Sequence, residues 1–288
     1  MNTQQHKTYV VIVHYGATSL AKRAVQALRA GSQQPDEIVV VDHNPKPLAL
    51  KADVGLRVVR PSTNDGYGAG LNFGIGTLFS DKPDNRDIIV GMNNDVVVLP
   101  DTLANLQQWW RDHPEPALVG VIAQEGKRRV GGGGRINPIT GRARLSARPL
   151  VDSPLTYVHG AFFSAPWAVM MRVRGLPEHY FMYWEDVSLS LRARQMGVPL
   201  KVAETVRVTH SEESPSQLPD SKLYYLVRNG ALCLSTDAPW PYRPWWRLYS
   251  RLRLQYHQSR GTKPVVVEAL RDAAAGQTGK RQAANKEA

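Results

Sequence analysis

The chain has almost no cysteine and no long apolar run. Among its 288 residues there is one cysteine, Cys233, so no disulfide can form within the chain and nothing points to an oxidising compartment. The apolar run that ends at His14 has about five residues, which is too short for a secretory signal or a membrane span, and no later run reaches membrane length. We therefore expect a cytoplasmic protein.

Acidic residues are scarce as well, with 25 Asp and Glu against 36 Lys and Arg and a net charge of +11. Such an excess predicts an anionic partner: nucleic acid, lipid headgroups or a phosphorylated small molecule. The last 49 residues, 240–288, hold ten Lys and Arg but only three Asp and Glu, and so supply +7 of the total.

Within this C-terminal part, the stretch "PWPYRPWWRLYSRLRLQYHQSR" interleaves Trp, Tyr and Leu with arginine. Two readings fit it. It is either a helix that packs one face on the main domain, or a helix that contacts an anionic membrane surface, where aromatic side chains beside arginine suit the headgroup region. The final "AAAGQTGKRQAANKEA" is typical of a frayed tail.

Strand-like and helix-like segments alternate in the first half of the chain. Short β-branched runs of the kind buried in parallel sheets occur at Thr8–Val13, Glu37–Asp42 and Asp87–Asp95. Helical patterns lie between and after them, in "SLAKRAVQALRAG" with Ser19 as N-cap, "GAGLNFGIGTLFS" and "LPDTLANLQQWWRDHP". The alternation predicts an α/β fold with a doubly wound, mostly parallel sheet, whose ligand site lies at the carboxyl ends of the strands.

Polar residues follow each of these strands, and they are candidates for that site. They form the triplets His14-Tyr15-Gly16, Asp42-His43-Asn44 and Asn93-Asn94-Asp95. A carboxylate just past a buried strand lies where a divalent ion bridging phosphates would be held, because Mg²⁺ or Mn²⁺ takes only one or two carboxylates and leaves positions for phosphate and water. Taken alone, however, a loop aspartate such as Asp95 is more often a turn residue.

Two glycine-rich stretches lack a nucleotide-binding fingerprint. The first contains Gly66, Gly68, Gly70, Gly74 and Gly76. Their spacing does not fit G-x-G-x-x-G and no P-loop lysine follows, so close packing of a helix on the sheet explains them better. The second, within residues 124–154, has four consecutive glycines and many arginines, and we expect a mobile excursion from the sheet there.

Two later segments contain further candidate functional residues. In "HYFMYWEDVSLSLRARQMG" an aromatic run leads into Glu185 and Asp186, an acid pair that is costly to desolvate unless a cation, a substrate hydroxyl or a helix N-terminus uses it. In "VPLKVAETVRVTH" the side chains of Val206, Val208 and His210 share one face if the segment is extended. Each signal alone also fits a structural role: helix-start acids in the first case, a core or surface histidine in the second.

Taken in order, these blocks resemble the family 2 glycosyltransferases, close to the bacterial rhamnosyltransferase branch. The resemblance rests on "EIVVVDHNPKP", "NDGYGAGLNFGI", "IIVGMNNDVVVLPDTL", "HGAFFSAPWAVMMRVRGLPEHYFMYWEDVSLSLRARQMG", "VRVTH" and "YYLVRNGALCL", and it covers roughly Tyr9 to Leu234. It implies a GT-A fold, in which a nucleotide-binding sheet merges with an acceptor-binding half.

We accordingly expect a GT-A domain over residues 1–236 and a basic, aromatic helical extension with a frayed tail over 237–288. Within the domain, residues 1–123 would bind the nucleotide sugar and residues 124–236 would form the acceptor-binding and catalytic half.

The resemblance also implies roles for individual residues. Asp186, with Glu185 beside it, matches the acid that takes the proton from the acceptor hydroxyl. Asp95 matches the direct metal ligand of the family's D-x-D element, with Asn93 at its first position, and His210 matches the histidine that completes the coordination of Mg²⁺ or Mn²⁺ in some relatives.

The remaining implied contacts are with the two substrates. The nucleotide-contacting positions are His14, Tyr15, Asp42, Asn64, Asp65 and Asn94. The acceptor-contacting positions are His159, Gly160 and Trp184. Two departures from the family pattern touch these sites: Ser188 stands where E-D-x-D-L has a second aspartate, and "HYG" at 14–16 replaces the commoner T-Y-N.

The expected activity is inverting transfer of a sugar, L-rhamnose from dTDP-rhamnose, onto a glycan or lipid-linked acceptor in surface polysaccharide synthesis. An alternative is the same chemistry with another donor, such as UDP-galactofuranose or another UDP or GDP sugar. A non-catalytic, basic nucleic-acid-binding protein would also explain the charge, but no binding motif supports it and we expect no nucleic-acid partner. The expected location is cytoplasmic, with peripheral contact to the inner leaflet, and the oligomeric state stays open.

Overall fold

The computed structural model describes residues 6–125, 128–146, 150, 152–210, 218–261 and 263–281. The strands are β1 (Thr8–His14), β2 (Glu37–Asp42), β3 (Leu56–Val59), β4 (Ile88–Asn93), β5 (Val97–Val98), β6 (Leu118–Glu125), β7 (Arg128–Gly131), β8 (Gly133–Ile136), β9 (Ala143–Ser146), β10 (Thr156–Val158), β11 (Phe162–Pro166) and β12 (Leu200–Thr209). The helices are α1 (Thr18–Ala30), α2 (Tyr67–Thr77), α3 (Thr102–Asp112), α4 (Trp167–Arg172), α5 (Glu185–Gln195), α6 (Asp220–Thr236), α7 (Arg243–Ser259) and α8 (Pro264–Ala274).

Nine strands form the main sheet, in the order β3-β2-β1-β4-β11-β6-β12-β5, with β7 paired to β6. Strands β3, β2, β1 and β4 are mutually parallel, and β11 is antiparallel to both β4 and β6. Strands β6 and β12 therefore run in the same direction as β4. The carboxyl ends of β1, β2, β4, β6 and β12 consequently meet at one edge, together with the start of β11. A smaller antiparallel sheet has the order β10-β8-β9.

Alternate residues of the strands enter two different cores. In β1, Val10 and Ile12 pack in the cluster that includes apolar residues of α1 and α3, whereas Tyr9 and Val11 pack in the cluster that includes residues of α2 and α4. This arrangement is the two-faced burial that β-branched runs in a parallel sheet predict. It confirms the expected α/β class with helices on the sheet.

Local details differ from the sequence-based expectations. Helix α1 begins at Thr18 after Ala17, so Ser19 lies inside the helix and does not cap it. The four-glycine segment is packed tightly where the chain passes from the main sheet to the small one. A Cβ on Gly131, which has a φ of +122°, would lie 2.1 Å from the Ser146 carbonyl oxygen. The expectation of a mobile excursion is therefore wrong for residues 128–146, and residues 126–127, 147–149 and 151 lie outside the described part.

The C-terminal helices pack on the body of the protein. Trp246 of α7 is fully buried in a cluster with residues of β8, α5 and α6, and Val265 and Ala269 of α8 pack against tyrosines of α6. The chain after α8 differs from the expected frayed tail, because the Gly279 N–H donates to the His179 carbonyl at 2.6 Å. Residues 282–288 lie outside the described range.

Across the described residues, we find no helix with the length and apolar character needed to span a bilayer.

Candidate active site

Two of the predicted metal-binding residues meet at the carboxyl edge of the main sheet. Asp95 follows β4 and His210 follows β12, and His210 Nε2 lies 3.5 Å from Asp95 Oδ1. Burial acts to raise the pKa of Asp95, but the hydrogen bond and charge of His210 outweigh it and lower that pKa. Because the Asp95 side chain is 44% exposed while His210 is buried, the carboxylate is accessible from solvent.

The third predicted metal residue, Asn93, is the last residue of β4, and its backbone N–H donates to the Ala161 carbonyl at 2.9 Å. Over the described ranges, no group of three or more His, Cys, Asp or Glu side chains is arranged to hold a metal. The protein would thus supply two ligands here and leave the other positions to phosphate and water, as Mg²⁺ and Mn²⁺ sites commonly do.

The acid pair lies in the first turn of α5, beside the start of β11. Asp186 Oδ2 accepts a hydrogen bond from the Gly160 N–H at 2.9 Å, and Oδ1 accepts one from the Val187 N–H at 2.7 Å. A Cβ on Gly160 would lie 2.7 Å from the Asp186 Cβ, so this close approach requires glycine. Tyr67 of α2 donates to the Gly160 carbonyl at 3.1 Å and ties the same segment to the nucleotide-side helix.

Burial raises the pKa values of both carboxyl groups in the acid pair. Burial, and then the charge of Asp186, raise the pKa of Glu185 to about 8, and Glu185 Oε2 has no hydrogen-bond partner within the described structure. Burial also raises the pKa of Asp186, but His159 and the N–H groups of Gly160 and Val187 favour its ionised form. Both carboxyl groups are therefore easier to protonate than usual, and the contacts with His159 and the two N–H groups make Asp186 the member of the pair whose ionised form is favoured.

The raised pKa of Glu185 predicts a pH-dependent penalty on folding. The folded protein keeps this proton up to about pH 8, whereas the unfolded chain releases it near pH 4.5, so the free energy of unfolding falls as pH rises between these values. We expect Glu185→Gln to raise the melting temperature at pH 8 by on the order of 5 °C, with the gain vanishing below pH 4.5. Calorimetry across this range, with the exposed Glu204→Gln as control, tests it. An unchanged or lower melting temperature at pH 8 for Glu185→Gln would exclude the buried, protonated state.

His159 lies near both the acid pair and the Asp95–His210 pair. It immediately precedes Gly160, its charge favours ionised Asp186, and its ring centroid lies 5.7 Å from that of His210. The pKa of Tyr67 is raised by burial and then by the charges of Glu185, Asp186 and Asp95. These residues therefore form one electrostatically coupled cluster, although they come from distant parts of the chain.

The segment leading into the acid pair has a strained backbone. Phe181, Tyr183 and Trp184 have φ values of +64°, +63° and +74°, in the left-handed region that non-glycine residues rarely adopt. Each such residue costs about 1–3 kcal/mol and persists only where its surroundings hold it. The strain lies directly before Glu185 and so sets the direction in which α5 begins.

Helix α6 holds this segment through consecutive polar residues. The Asn229 amide donates to the carbonyls of Tyr180 and Met182, both at 2.7 Å, and approaches that of Tyr183 at 3.3 Å. The fully buried Arg228 donates to the Tyr180 carbonyl at 3.4 Å and to Asn229 Oδ1 at 2.9 Å. Side-chain donors on a rigid helix thus satisfy the carbonyl groups that the strained turn removes from regular pairing.

Because Asn229 holds the turn that leads into α5, we predict that it affects the reaction by fixing the position of Asp186. In Asn229→Ala, three carbonyl groups lose their contact with the Asn229 amide and the turn can relax, so we expect kcat to fall about 10- to 100-fold while the KM for the donor changes less than about threefold. Steady-state kinetics of the variant, with the exposed Asn105→Ala as control, give the comparison. A loss confined to stability, with normal kcat below the melting temperature, would contradict the positioning role.

The predicted nucleotide-contacting residues lie at the ends of β1, β2 and β4. The amides of Asn44 and Asn94 each lie 2.8 Å from a ring nitrogen of His14. Burial lowers the pKa of His14, so the ring is neutral at neutral pH and has one donor and one acceptor. Tyr15 is 62% exposed and open to a ligand.

The carboxylate of Asp42 already has hydrogen-bond partners within the protein. Its side chain is fully buried, and it accepts hydrogen bonds from the N–H groups of Asn44 and Leu48 and from the Arg60 guanidinium at 2.5 Å. The nucleoside contact implied for Asp42 stays a prediction. Arg60, which is partly exposed beside it, is the cation that sequence reasoning missed here.

Asn64 and Asp65 precede α2 on the same side. Asn64 Oδ1 accepts a hydrogen bond from the Gly66 N–H at 3.1 Å, and exposed Asp65 accepts one from the Thr63 hydroxyl. Burial lowers the pKa of the neighbouring His43. The structure therefore places these two residues beside His43, and their contacts with a ligand stay predictions.

The predicted acceptor residues have structural contacts of their own. Trp184 is 9% exposed, donates its indole N–H to the Leu226 carbonyl at 2.9 Å, and packs so closely on Gly230 that a Cβ there would lie 2.8 Å from the ring. These contacts give Trp184 a packing role, and the acceptor contact predicted for it gains no support from them. His159 and Gly160 lie beside Asp186, where an acceptor hydroxyl would have to arrive.

Ser188, the departure from the family pattern, is paired with a carboxylate from another helix. Its hydroxyl donates to Asp237, which follows α6 and also accepts a hydrogen bond from the Tyr180 hydroxyl at 2.7 Å. A carboxylate thus lies beside position 188 even though the sequence has serine there. Sequence reasoning missed Asp237, because nothing in its local pattern points to this contact.

Comparisons with known proteins agree with this architecture. The mannosyltransferase PcManGT from Pyrobaculum calidifontis, solved in complex with GDP-Man and Mn2+, is similar over 95% of this chain and 75% of its own, with 16% identity and a TM-score of 0.54. Residues 1–349 of TarS from S. aureus are similar over 94% of this chain and 90% of their own, with 13% identity and a TM-score of 0.51. A longer TarS structure is also similar, with 12% identity and a TM-score of 0.50 over 87% of this chain, and the match spans 43% of that structure's length. At these identities the likeness shows the fold.

The sequence comparisons place the chain in a family. No curated protein sequence matches it significantly. The family described as glycosyl transferase family 2, however, matches residues 9–172, which is more than half of the chain and includes β1 to α4. The predicted family is confirmed: the chain belongs to glycosyl transferase family 2.

Proposed function

We propose that the protein is a metal-dependent, inverting glycosyltransferase that moves a sugar from a nucleotide sugar to a hydroxyl group of a glycan or lipid-linked acceptor. The observation that carries the proposal is the juxtaposition of Asp186, oriented by the Gly160 N–H, with the Asp95–His210 pair across His159. In this assignment residues 1–123 form the donor side and residues 124–236 the acceptor side.

Asp186 has the features that a general base for this reaction needs. Inverting transfer is an in-line displacement, so a base must lie within hydrogen-bond reach of the attacking hydroxyl, on the face of the sugar opposite the leaving group. The carboxylate is fixed by two backbone N–H groups, and burial raises its pKa, which strengthens it as a base. Asp186 would take the hydroxyl proton as the oxygen attacks the anomeric carbon and the bond to the nucleoside diphosphate breaks.

Asp95 and His210 fit a divalent ion on the leaving-group side. One carboxylate and one imidazole face each other at 3.5 Å at the rim of the sheet, an oxygen and nitrogen donor set that suits Mn²⁺ or Mg²⁺. Such an ion, when bound, would neutralise the charge that gathers on the departing diphosphate. The similar mannosyltransferase was solved with Mn2+ and GDP-Man, which supports the same kind of cofactor and donor here.

For the donor we propose dTDP-L-rhamnose, with another nucleotide sugar such as UDP-galactofuranose as the alternative. The proposal rests on the likeness of the sequence blocks to the rhamnosyltransferase branch. A screen of dTDP, UDP and GDP sugars for Mn²⁺-dependent release of nucleoside diphosphate tests it. Selective hydrolysis of dTDP-rhamnose is the expected result, whereas preference for another nucleotide sugar would replace this donor and no hydrolysis of any would count against the enzyme assignment.

A non-catalytic nucleic-acid-binding role predicts a different ligand profile. The transferase should be stabilised against heat by nucleoside diphosphates together with Mn²⁺, and a DNA oligonucleotide should have a smaller effect at equal charge concentration. The reverse order of stabilisation would favour nucleic-acid binding. For the enzyme itself we propose action at the cytoplasmic side of a membrane, where lipid-linked acceptors are presented.

A further inference from the structure

Two basic segments that are far apart in the sequence lie side by side in the structure. Residues 128–146 contain five arginines and no acidic residue, and residues 243–261 likewise contain five arginines and no acidic residue. The Trp245 indole N–H donates to the Ile139 carbonyl at 2.9 Å, and Gly141 packs against Trp246 and Leu234. The two segments therefore form one surface, which we call the basic face.

The α7 part of this face carries an exposed apolar stripe. Its members are Trp245, Leu248, Leu252 and Tyr256, spaced three or four residues apart so that they lie along one side of the helix, and each is between 40% and 57% exposed. Trp240, just before the helix, is 75% exposed. A different side of α7 is anchored in the core through the fully buried Trp246, while the stripe remains exposed.

Arginines flank the stripe on both sides. With about 100° per residue around a helix, Arg251 lies along one side of it and Arg260 along the other. Beside α7, a groove of about 530 Å³ is lined by Arg135, Arg142, Arg144 and neighbouring residues of β8 and β9. Burial lowers the pKa of Arg253; Tyr249 opposes this shift and the charge of Arg142 adds to it, so arginines of the two segments lie close enough to interact.

We propose that the basic face is a docking surface for an anionic lipid bilayer. The apolar stripe would enter the headgroup region while the flanking and groove arginines contact lipid phosphates, the arrangement expected of an interfacial amphipathic helix. Lipid phosphate in a bilayer matches both components, since it offers anionic groups and an apolar interior within a few ångströms of each other.

A second copy of the chain fits the face less well. Joining two stripes would bring the flanking arginines of both copies together, and neither segment contains an acidic residue to compensate them. A soluble polyanion such as nucleic acid would use the arginines but leave the stripe exposed. The bilayer is the occupant that accounts for the charge and the apolar side chains at once.

The position of the face suits the proposed function, on which the purpose of this docking rests. Strand β8, which contributes to the groove, pairs with β10, and β10 leads directly into His159 and Gly160 beside the proposed base. Docking through the basic face would therefore place the acceptor side of the protein near the bilayer, where lipid-linked acceptors are found.

Flotation of the full-length chain with vesicles tests the proposal. Truncation before α7 is unsuitable, because Trp246 is part of the core. We expect binding to vesicles of phosphatidylglycerol and phosphatidylethanolamine at about 50 mM salt, little binding at about 500 mM salt, and little binding to phosphatidylcholine alone. The double variants Arg251→Gln/Arg260→Gln and Leu248→Gln/Leu252→Gln should each weaken binding by about tenfold or more.

Matched controls separate the face from general charge and hydrophobicity. Lys22→Gln/Arg23→Gln removes the same charge from exposed positions of α1, and Val54→Gln/Leu99→Gln removes exposed apolar side chains elsewhere, so both should bind as the wild type does. Equal binding of face and control variants, absence of binding to anionic vesicles, or self-association that only the stripe variant loses would each overturn the proposal. Stabilisation by nucleoside diphosphate and Mn²⁺, measured on the same samples, reports on the proposed function separately.

Discussion

Replacing Asp186 with asparagine should lower sugar transfer at least about 100-fold and leave donor binding near the wild-type level. The amide keeps the size of the carboxylate but cannot accept the proton of the attacking hydroxyl, and general bases commonly contribute 10²- to 10⁴-fold. Single-turnover rates and nucleotide affinity, measured on the same protein, separate the chemical step from binding. Near-normal turnover in Asp186→Asn would remove Asp186 from the role of base.

A second variant displaces the carboxylate without changing its chemistry. In Gly160→Ala the new Cβ would lie 2.7 Å from the Asp186 Cβ, so the acid must move and its hydrogen bond from the residue 160 N–H must lengthen. We expect a loss of turnover comparable to that of Asp186→Asn, since a shift of about 1 Å at a reacting group costs on the order of 100-fold. Gly76→Ala, where a Cβ meets nothing within 4 Å, is the matched control in α2.

Replacing Asp95 with alanine should weaken nucleoside diphosphate binding on the order of 100-fold when Mn²⁺ is present and hardly at all when it is absent. The carboxylate is accessible at the sheet edge and opposite His210, where an ion would link the protein to the diphosphate. Calorimetric titration with and without the metal measures both affinities. Equal affinities of wild type and variant in Mn²⁺ would exclude Asp95 as a ligand.

His210→Asn provides the companion measurement. It removes the imidazole but keeps a polar side chain of smaller size, and we expect a weaker metal-dependent loss than for Asp95→Ala. If the Asp95 variant behaves as predicted and the His210 variant binds normally, the ion is held by Asp95 together with ligands other than His210.

The meeting of distant residues at the site follows from topology that the sequence makes visible. Asp95 and His210 each follow an apolar strand, and strands running in one direction within a sheet end at one edge, which explains why they meet despite their separation in the chain. The pairing itself was implied by the family resemblance. The β-branched runs mark β1, β2 and β4 nearly to the residue. The acid pair at the start of α5 was likewise visible as a carboxylate pair after an aromatic run.

The contacts that orient the site were not predictable from local patterns. Nothing in "YFMYWED" indicates three left-handed residues, because aromatic side chains disfavour that conformation. It is held by contacts from distant residues such as the Asn229 amide, 45 residues after Trp184. The engagement of Asp42 by Arg60 and of Ser188 by Asp237 likewise depends on tertiary packing. The family block "YYLVRNGALCL" contains Arg228 and Asn229, which donate hydrogen bonds to this turn. The sequence alone does not indicate which carbonyl groups they contact.

The structure of the C-terminal extension could likewise be predicted only in part from the sequence. Its basic, amphipathic character was clear, and two readings were left open: packing on the domain or contact with a membrane. Trp246 is buried while Trp245 is 40% exposed, so adjacent tryptophans face the core and the surface respectively. The packing reading describes one side of α7, and the membrane reading stays a proposal for the other.

The central claim, inverting transfer with Asp186 as base, is tested most directly by the anomeric configuration of the released sugar. Proton NMR can follow hydrolysis of the selected nucleotide sugar by the wild-type protein with Mn²⁺, at times short enough to precede mutarotation. Our account predicts that the first sugar to appear has the anomeric configuration opposite to that of the donor, and that Asp186→Asn releases it at least about 100 times more slowly. Initial release of the same anomer as the donor, or an unchanged rate in Asp186→Asn, would contradict it.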